Sequence, residues 1–172
     1  FEDEIVTELQ ALFHLFRKQD VLIGDSVIIS PDFGERSCIL EGHGDFIVED
    51  TLIDVKTTEN PEFDAEYWRQ LLAYYILNDI HRELIQNRED REMEVPYPHI
   101  STVGVYFARY GELKTVDVDD YLQPREDYKR FRAWFVDRAI EYNHDGRVNY
   151  DHIRQVLTEP YNFEDQTSLF DF

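Results

Sequence analysis

The stretch Gly42-His43-Gly44-Asp45-Phe46-Ile47-Val48-Glu49-Asp50-Thr51-Leu52-Ile53-Asp54-Val55-Lys56-Thr57 decides the fold. β-Branched and aromatic runs flank the polar pair Glu49-Asp50, which predicts two strands, about Cys38 to Val48 and Thr51 to Thr57, joined by a two-residue turn. With Glu49 and Asp50 in the turn, Val48 falls opposite Thr51, Phe46 opposite Ile53 and Asp45 opposite Asp54. Side chains two apart share a strand face, so Lys56 joins Asp54, while Phe46, Ile53 and Val55 turn the other way, into the core. Carboxylates set directly opposite each other destabilise a sheet. A divalent cation resolves that conflict: oxygen ligands from Asp45 and Asp54, with room for waters and phosphate oxygens, suit magnesium or manganese. Lys56 beside such an ion can lower the pKa of an attacking water or stabilise charge on a phosphorane-like transition state. Taken alone, an Asp-x-Lys triplet also fits a solvated sheet face with Lys56 as a surface ion-pair partner.

Outward from this hairpin, residues 2 to 18 set Ile5, Leu9, Leu12, Phe13 and Phe16 at helical spacing, and Val21 to Ser30 is β-rich before the turn at Ser30-Pro31-Asp32-Phe33-Gly34. Pro61 is expected to open a helix to about Gln86, with Phe63, Tyr67, Leu71, Tyr74 and Leu77 among its apolar positions. The charged stretch Asn87 to His99, holding Pro96 and Pro98, reads as a loop. Ile100 to Arg109 and Glu112 to Val118 predict a hairpin around Tyr110-Gly111. Helices follow at Arg125 to Tyr142 and about Tyr150 to Leu157. The order helix, three strands, helix, two strands, helix predicts one mixed α/β domain over residues 1–158, followed by an acidic tail over 159–172.

Three segments in order, Gly42 to Ile47, Leu52 to Thr57 and Gln70-Leu71-Leu72-Ala73-Tyr74, closely resemble the core motifs of the RecB-like branch of the PD-(D/E)XK nucleases. That branch has a Gly-x-x-Asp element, an apolar-Asp-x-Lys-Thr strand and a Gln-x-x-x-Tyr helix. The resemblance is tight over residues 38 to 80 and looser over 100 to 118. It implies a restriction-endonuclease-like core, a central mixed sheet flanked by helices. It further implies that Asp45, Asp54 and the Val55 carbonyl bind magnesium or manganese, and that Lys56 is the catalytic lysine. Gln70 and Tyr74, one helical turn apart, would position the lysine, the water or a DNA phosphate. Members often carry a further His or Glu ligand on the amino-terminal helix. His14 falls opposite the apolar stripe there and Glu8 lies at its edge, so Glu8 is the better candidate by geometry. His43 shares the strand face with Asp45 and could touch substrate, or be an ordinary edge residue. The cysteine cluster of the iron-sulfur members is absent: the chain has one cysteine, Cys38.

Charge constrains the partners. The 37 acidic and 17 basic side chains give a net charge of −20, which repels a polyanion over most of the surface. Four of the basic residues are lysines, and this acidic, arginine-rich composition resembles that of proteins from salt-accumulating archaea or their viruses. Nucleic acid must then be held locally, through metal, a few basic residues or a partner. The last residues, Gln166-Thr167-Ser168-Leu169-Phe170-Asp171-Phe172, resemble the PCNA-interacting peptide, with Gln166 for a polar pocket of the sliding clamp and Leu169, Phe170 and Phe172 for its apolar groove. A clamp would deliver an acidic enzyme to DNA. No apolar run approaches the ~20 residues that cross a bilayer, and a lone cysteine fits the cytoplasm. The expectation is a magnesium- or manganese-dependent deoxyribonuclease in repair, replication or recombination; the resemblance implies exonuclease action on single-stranded DNA or DNA ends, with endonuclease action on flaps or branches as the nearest variant. Its rivals are a nuclease directed at RNA and a non-catalytic acidic scaffold that mimics DNA or bridges the clamp.

Overall fold

The hairpin at Glu49-Asp50 is the frame on which the sheet is laid. The computed structural model describes residues 2–33, 39–86, 97–122, 125–142 and 150–158. Strand β2 (Phe46–Val48) pairs antiparallel with β3 (Thr51–Lys56) in the expected register, Val48 to Thr51 and Phe46 to Ile53. Glu49 takes the left-handed conformation that such a tight turn demands, with φ of 55°. Its carboxylate accepts the backbone N–H groups of Asp25 and Ser26, and the Asp50 carbonyl accepts that of Ser101 at 3.0 Å. The turn thus fastens the strands on either side of the hairpin.

β1 (Val27–Ile29) lies against β2, and β4 (Thr102–Phe107) and β5 (Glu112–Asp117) lie beyond β3, giving a five-stranded sheet in the order β1-β2-β3-β4-β5. The β3–β4 junction is parallel and the others are antiparallel, so the sheet is mixed. A parallel junction needs a crossover, which α2 (Ala65–Gln86) supplies. α1 (Glu2–Lys18) sets Leu12 and Phe16 over one sheet face, against Val48, Ile53, Tyr106 and Ala108. On the other face, Leu52, Val103, Val105 and Phe107 meet α2, and α4 (Arg125–Tyr142) and α5 (Tyr150–Thr158) pack outside it. α2 has neighbours on both sides, which is why Leu71, Tyr75, Ile76, Leu77, Ile80 and Leu84 are all buried and its sequence lacks a single clean apolar stripe.

Several boundaries differ from the sequence expectations. The strand expected over Cys38 to Val48 is regular only from Phe46; among its described residues the earlier part makes one isolated bridge, His43 with Asp32. Gly42 and Gly44 account for this. A Cβ would stand 3.1 Å from Tyr74 Cε1 at the first and 2.9 Å from Phe33 Cε2 at the second, so the backbone packs directly on rings rather than pairing in a ladder. Within Val21 to Ser30 only Val27–Ile29 is strand. α2 starts at Ala65, not Pro61, because the Asp64 carboxylate accepts the N–H groups of Glu66 at 2.8 Å and Tyr67 at 3.0 Å and caps the helix there. A short helix, α3 (Val118–Tyr121), follows β5 behind the cap residue Asp117. On α1, Ile5, Leu9 and Phe13 are exposed, so only part of the expected stripe faces the sheet. Cys38, Asn87 to Pro96 and the clamp-like motif Gln166 to Phe172 lie outside the described residues.

α4 is tied to α2 by a buried ionic group. Arg132 Nη1 lies 2.7 Å from Asp79 Oδ2 and 2.6 Å from Glu83 Oε2, and the Tyr128 hydroxyl donates to Asp79 Oδ2 at 2.7 Å. On the opposite face, the Tyr106 hydroxyl is buried without a partner among the described residues. Tyr106→Phe is therefore expected to leave stability unchanged or raise it by about 1 kcal/mol, measured by chemical denaturation, because it removes a desolvated donor and keeps the ring that Phe16 packs against.

Candidate active site

Three elements converge at the carboxyl end of β3. The β2–β3 register carries Asp45 to a point opposite Asp54, and the Asp45 Oδ2 accepts the Val55 N–H at 2.6 Å. The chain just before Asp45 is pinned by Gly44 N–H donating to the Pro31 carbonyl at 3.0 Å, and Ser30 N–H donates to the Asp45 carbonyl at 2.8 Å. Phe33 stacks on Tyr74 at 5.3 Å between centroids, which ties this loop to α2. Strand alternation turns Asp54 and Lys56 to the α2 side, where helix periodicity has set Gln70 and Tyr74 on one face.

The contacts form a chain. Lys56 Nζ lies 2.8 Å from Asp54 Oδ2 and donates to Gln70 Oε1 at 2.8 Å; Gln70 Nε2 donates to the Tyr74 hydroxyl at 2.9 Å. Tyr67, one turn before Gln70, spreads its ring 5.2 Å from Lys56 Nζ. The lysine is thus held by a carboxylate, an amide oxygen and an aromatic face, with its side chain only 24% exposed. Burial pushes the Asp54 carboxyl above its usual range; the hydrogen bond and charge of Lys56 pull it down and the charge of Asp45 pushes it up again. This buried oxygen meets the Lys56 ammonium at 2.8 Å and no further donor among the described residues.

A buried carboxylate beside a second one, with a single ammonium between them and solvent, is a donor set of the kind a hard cation takes. Asp45 and Asp54 supply the side-chain oxygens. Val55 enters through its N–H, which orients Asp45, while a role for its carbonyl remains an expectation. Among the described residues no group of three or more His, Cys, Asp or Glu side chains converges. Glu8 faces Arg109, at 3.3 Å. A cation bound by these two carboxylates would complete its shell with waters and substrate oxygens. His43 is exposed, its Nδ1 lying 3.9 Å from Asp32 Oδ2.

The sequence motifs did not single out Tyr67, Phe33 or the two glycines as packing elements of the site. Tyr67 had a signal: it precedes Gln70 by three residues and Tyr74 by seven, the spacing of one helix face. Phe33 had none, since its partner is far along the chain. No protein-family model matches this chain, and no curated protein or solved structure matches it. The site therefore stands on its geometry.

Proposed function

We propose that the chain is a divalent-metal-dependent nuclease with a PD-(D/E)XK core, hydrolysing phosphodiester bonds in DNA, with single strands or ends as substrate. The observation that carries this reading is Lys56, held at 2.8 Å from both Asp54 and Gln70, with Asp45 just before the facing strand and bonded to the Val55 N–H. A surface ion pair needs neither the buried carboxylate nor the amide and tyrosine behind the lysine. The mixed sheet flanked by helices, with Asp54 and Lys56 on β3 and Gln70 and Tyr74 on α2, supports the reading.

Magnesium or manganese, when bound by Asp45 and Asp54, supplies positive charge to a phosphate oxygen and acidifies a water. Lys56 directs its ammonium toward the attacking water or a non-bridging oxygen, where negative charge grows as the water oxygen adds to phosphorus and one ester P–O bond breaks. The water's proton passes to solvent and the leaving oxygen takes one up. Gln70 fixes the lysine, and Tyr74 fixes Gln70. We also propose recruitment by the sliding clamp through Gln166, Leu169, Phe170 and Phe172, which would bring an acidic enzyme to DNA; deletion of residues 166–172 should then abolish clamp binding in a pull-down.

The direct test is cleavage of labelled single-stranded, duplex and flap DNA with magnesium, with manganese or with EDTA. Metal-dependent cleavage that EDTA abolishes is the expected result. Cleavage that survives EDTA refutes the mechanism, and no cleavage of any substrate leaves the acidic scaffold as the better reading.

A further inference from the structure

One flank of α1 is apolar yet open to solvent. Leu12 and Phe16 pack inward beside Val48 and Tyr106, while Ile5, Val6, Leu9 and Phe13 stand between 50% and 60% exposed. Val6, Leu9 and Phe13 follow the three-four spacing of a coiled-coil seam, with Ile5 at its border. Along the side of that seam remote from the sheet run Asp3, Gln10 and Arg17, seven residues apart and all exposed. Seven residues are nearly two helical turns, so these side chains line one edge, with an acid at its start, an amide at its middle and a base at its end. The Arg17 guanidinium lies 5.9 Å from the Phe13 ring centroid, which keeps the basic end of the edge against the seam.

We infer that α1 pairs with α1 of a second copy of this chain, antiparallel about a twofold axis beside Gln10, burying Ile5, Val6, Leu9 and Phe13 of both. The charged edge selects this occupant. In an antiparallel pair, equivalent flanking positions meet across the seam in reverse order, so Asp3 of each copy faces Arg17 of the other and Gln10 faces its own equivalent. A parallel pair would set Asp3 against Asp3 and Arg17 against Arg17. The same edge reversed is thus its own complement in charge, spacing and apolar content. Net charge of −20 on each copy opposes the approach, and salt screens that long-range repulsion. Four apolar residues from each copy make a small interface, so association should be reversible and dependent on concentration. The pairing is independent of the nuclease proposal and uses none of the residues around Asp54.

Sedimentation velocity in physiological salt over a concentration series should show the full chain passing from monomer to dimer. Leu9→Glu should abolish the dimer with unchanged circular dichroism, since Leu9 is exposed in the single chain. Asp3→Arg and Arg17→Asp should each weaken self-association by about 10-fold, as two like-charged contacts replace two opposite ones. Asp3→Arg discriminates further, because it lowers the net negative charge, and long-range repulsion alone would then tighten the pair. An equimolar mixture of the two variants should recover the wild-type dimer as a mixed pair, since each supplies the charge that the other's edge lacks. The inference is overturned by a chain that stays monomeric at concentrations on the order of 1 mM, or by a dimer that survives Leu9→Glu. It is equally overturned by charge variants whose mixture associates no better than either alone.

Discussion

Lys56→Ala is expected to slow metal-dependent cleavage by about 10²- to 10³-fold, the usual loss when one preorganised group that faces developing charge is removed. The same substitution should leave manganese affinity unchanged or tighter. Lys56 Nζ sits 2.8 Å from Asp54 Oδ2, where its charge opposes the binding of a cation to that carboxylate. Chemistry and metal binding should therefore separate in Lys56→Ala and fail together in Asp54→Asn. Lys56→Arg should not rescue the rate, because a planar guanidinium cannot replace a compact ammonium between Asp54, Gln70 and the Tyr67 ring. Single-turnover cleavage and calorimetric manganese titration of the three variants read both quantities. Wild-type cleavage by Lys56→Ala would remove the lysine from the mechanism.

Arg132→Ala should destabilise the fold by about 3–5 kcal/mol, the effect of breaking a buried ion pair from one side. Its guanidinium is what the Glu83 and Asp79 carboxylates share between α2 and α4, and the Glu83 side chain is only 6% exposed. The loss should depend on pH. Burial pushes the Glu83 carboxyl up, and Arg132 is the chief influence pulling it back. With a raised value in the folded state, Glu83 binds its proton more tightly folded than unfolded, so its contribution turns against folding as pH rises through that range. Without Arg132 the rise is larger. The penalty should thus be greatest near neutrality and shrink on acidification, and Glu83→Gln in the Arg132→Ala background should recover part of it. Urea melts at neutral and acidic pH test this, and a penalty that grows toward acid would contradict the assignment of Arg132 as the partner of Glu83.

What the sequence made legible was what depends on short spacing. Two turn residues set the register of Asp45 and Asp54, strand alternation set Lys56 beside Asp54, and helix periodicity set Gln70 beneath Tyr74. α4 was read to the residue because Arg125 to Tyr142 has a helical pattern throughout. The shortened β2 was not legible, because the reason for it lies in rings that Gly42 and Gly44 meet from distant segments. The start of α2 was misread because Pro61 is a strong local signal, whereas the cap at Asp64 is decided by which carboxylate reaches the free N–H groups. The Arg132 group was missed altogether: Asp79 and Glu83 look like surface positions of an amphipathic helix until α4 covers them.

The strand order also bears on behaviour at high concentration. Among the described residues the sheet ends on β1, three residues long with Val27 and Ile29 exposed, and on β5, whose exposed positions include Glu112 and Asp117. Outer strands offer unpaired peptide groups to other molecules, and brevity on one border with carboxylates on the other denies a second sheet a template. Mutual repulsion between copies of net charge −20 adds to that protection and fades as salt screens it. Lengthening β1 or neutralising β5 would remove the barrier to fibril-like growth.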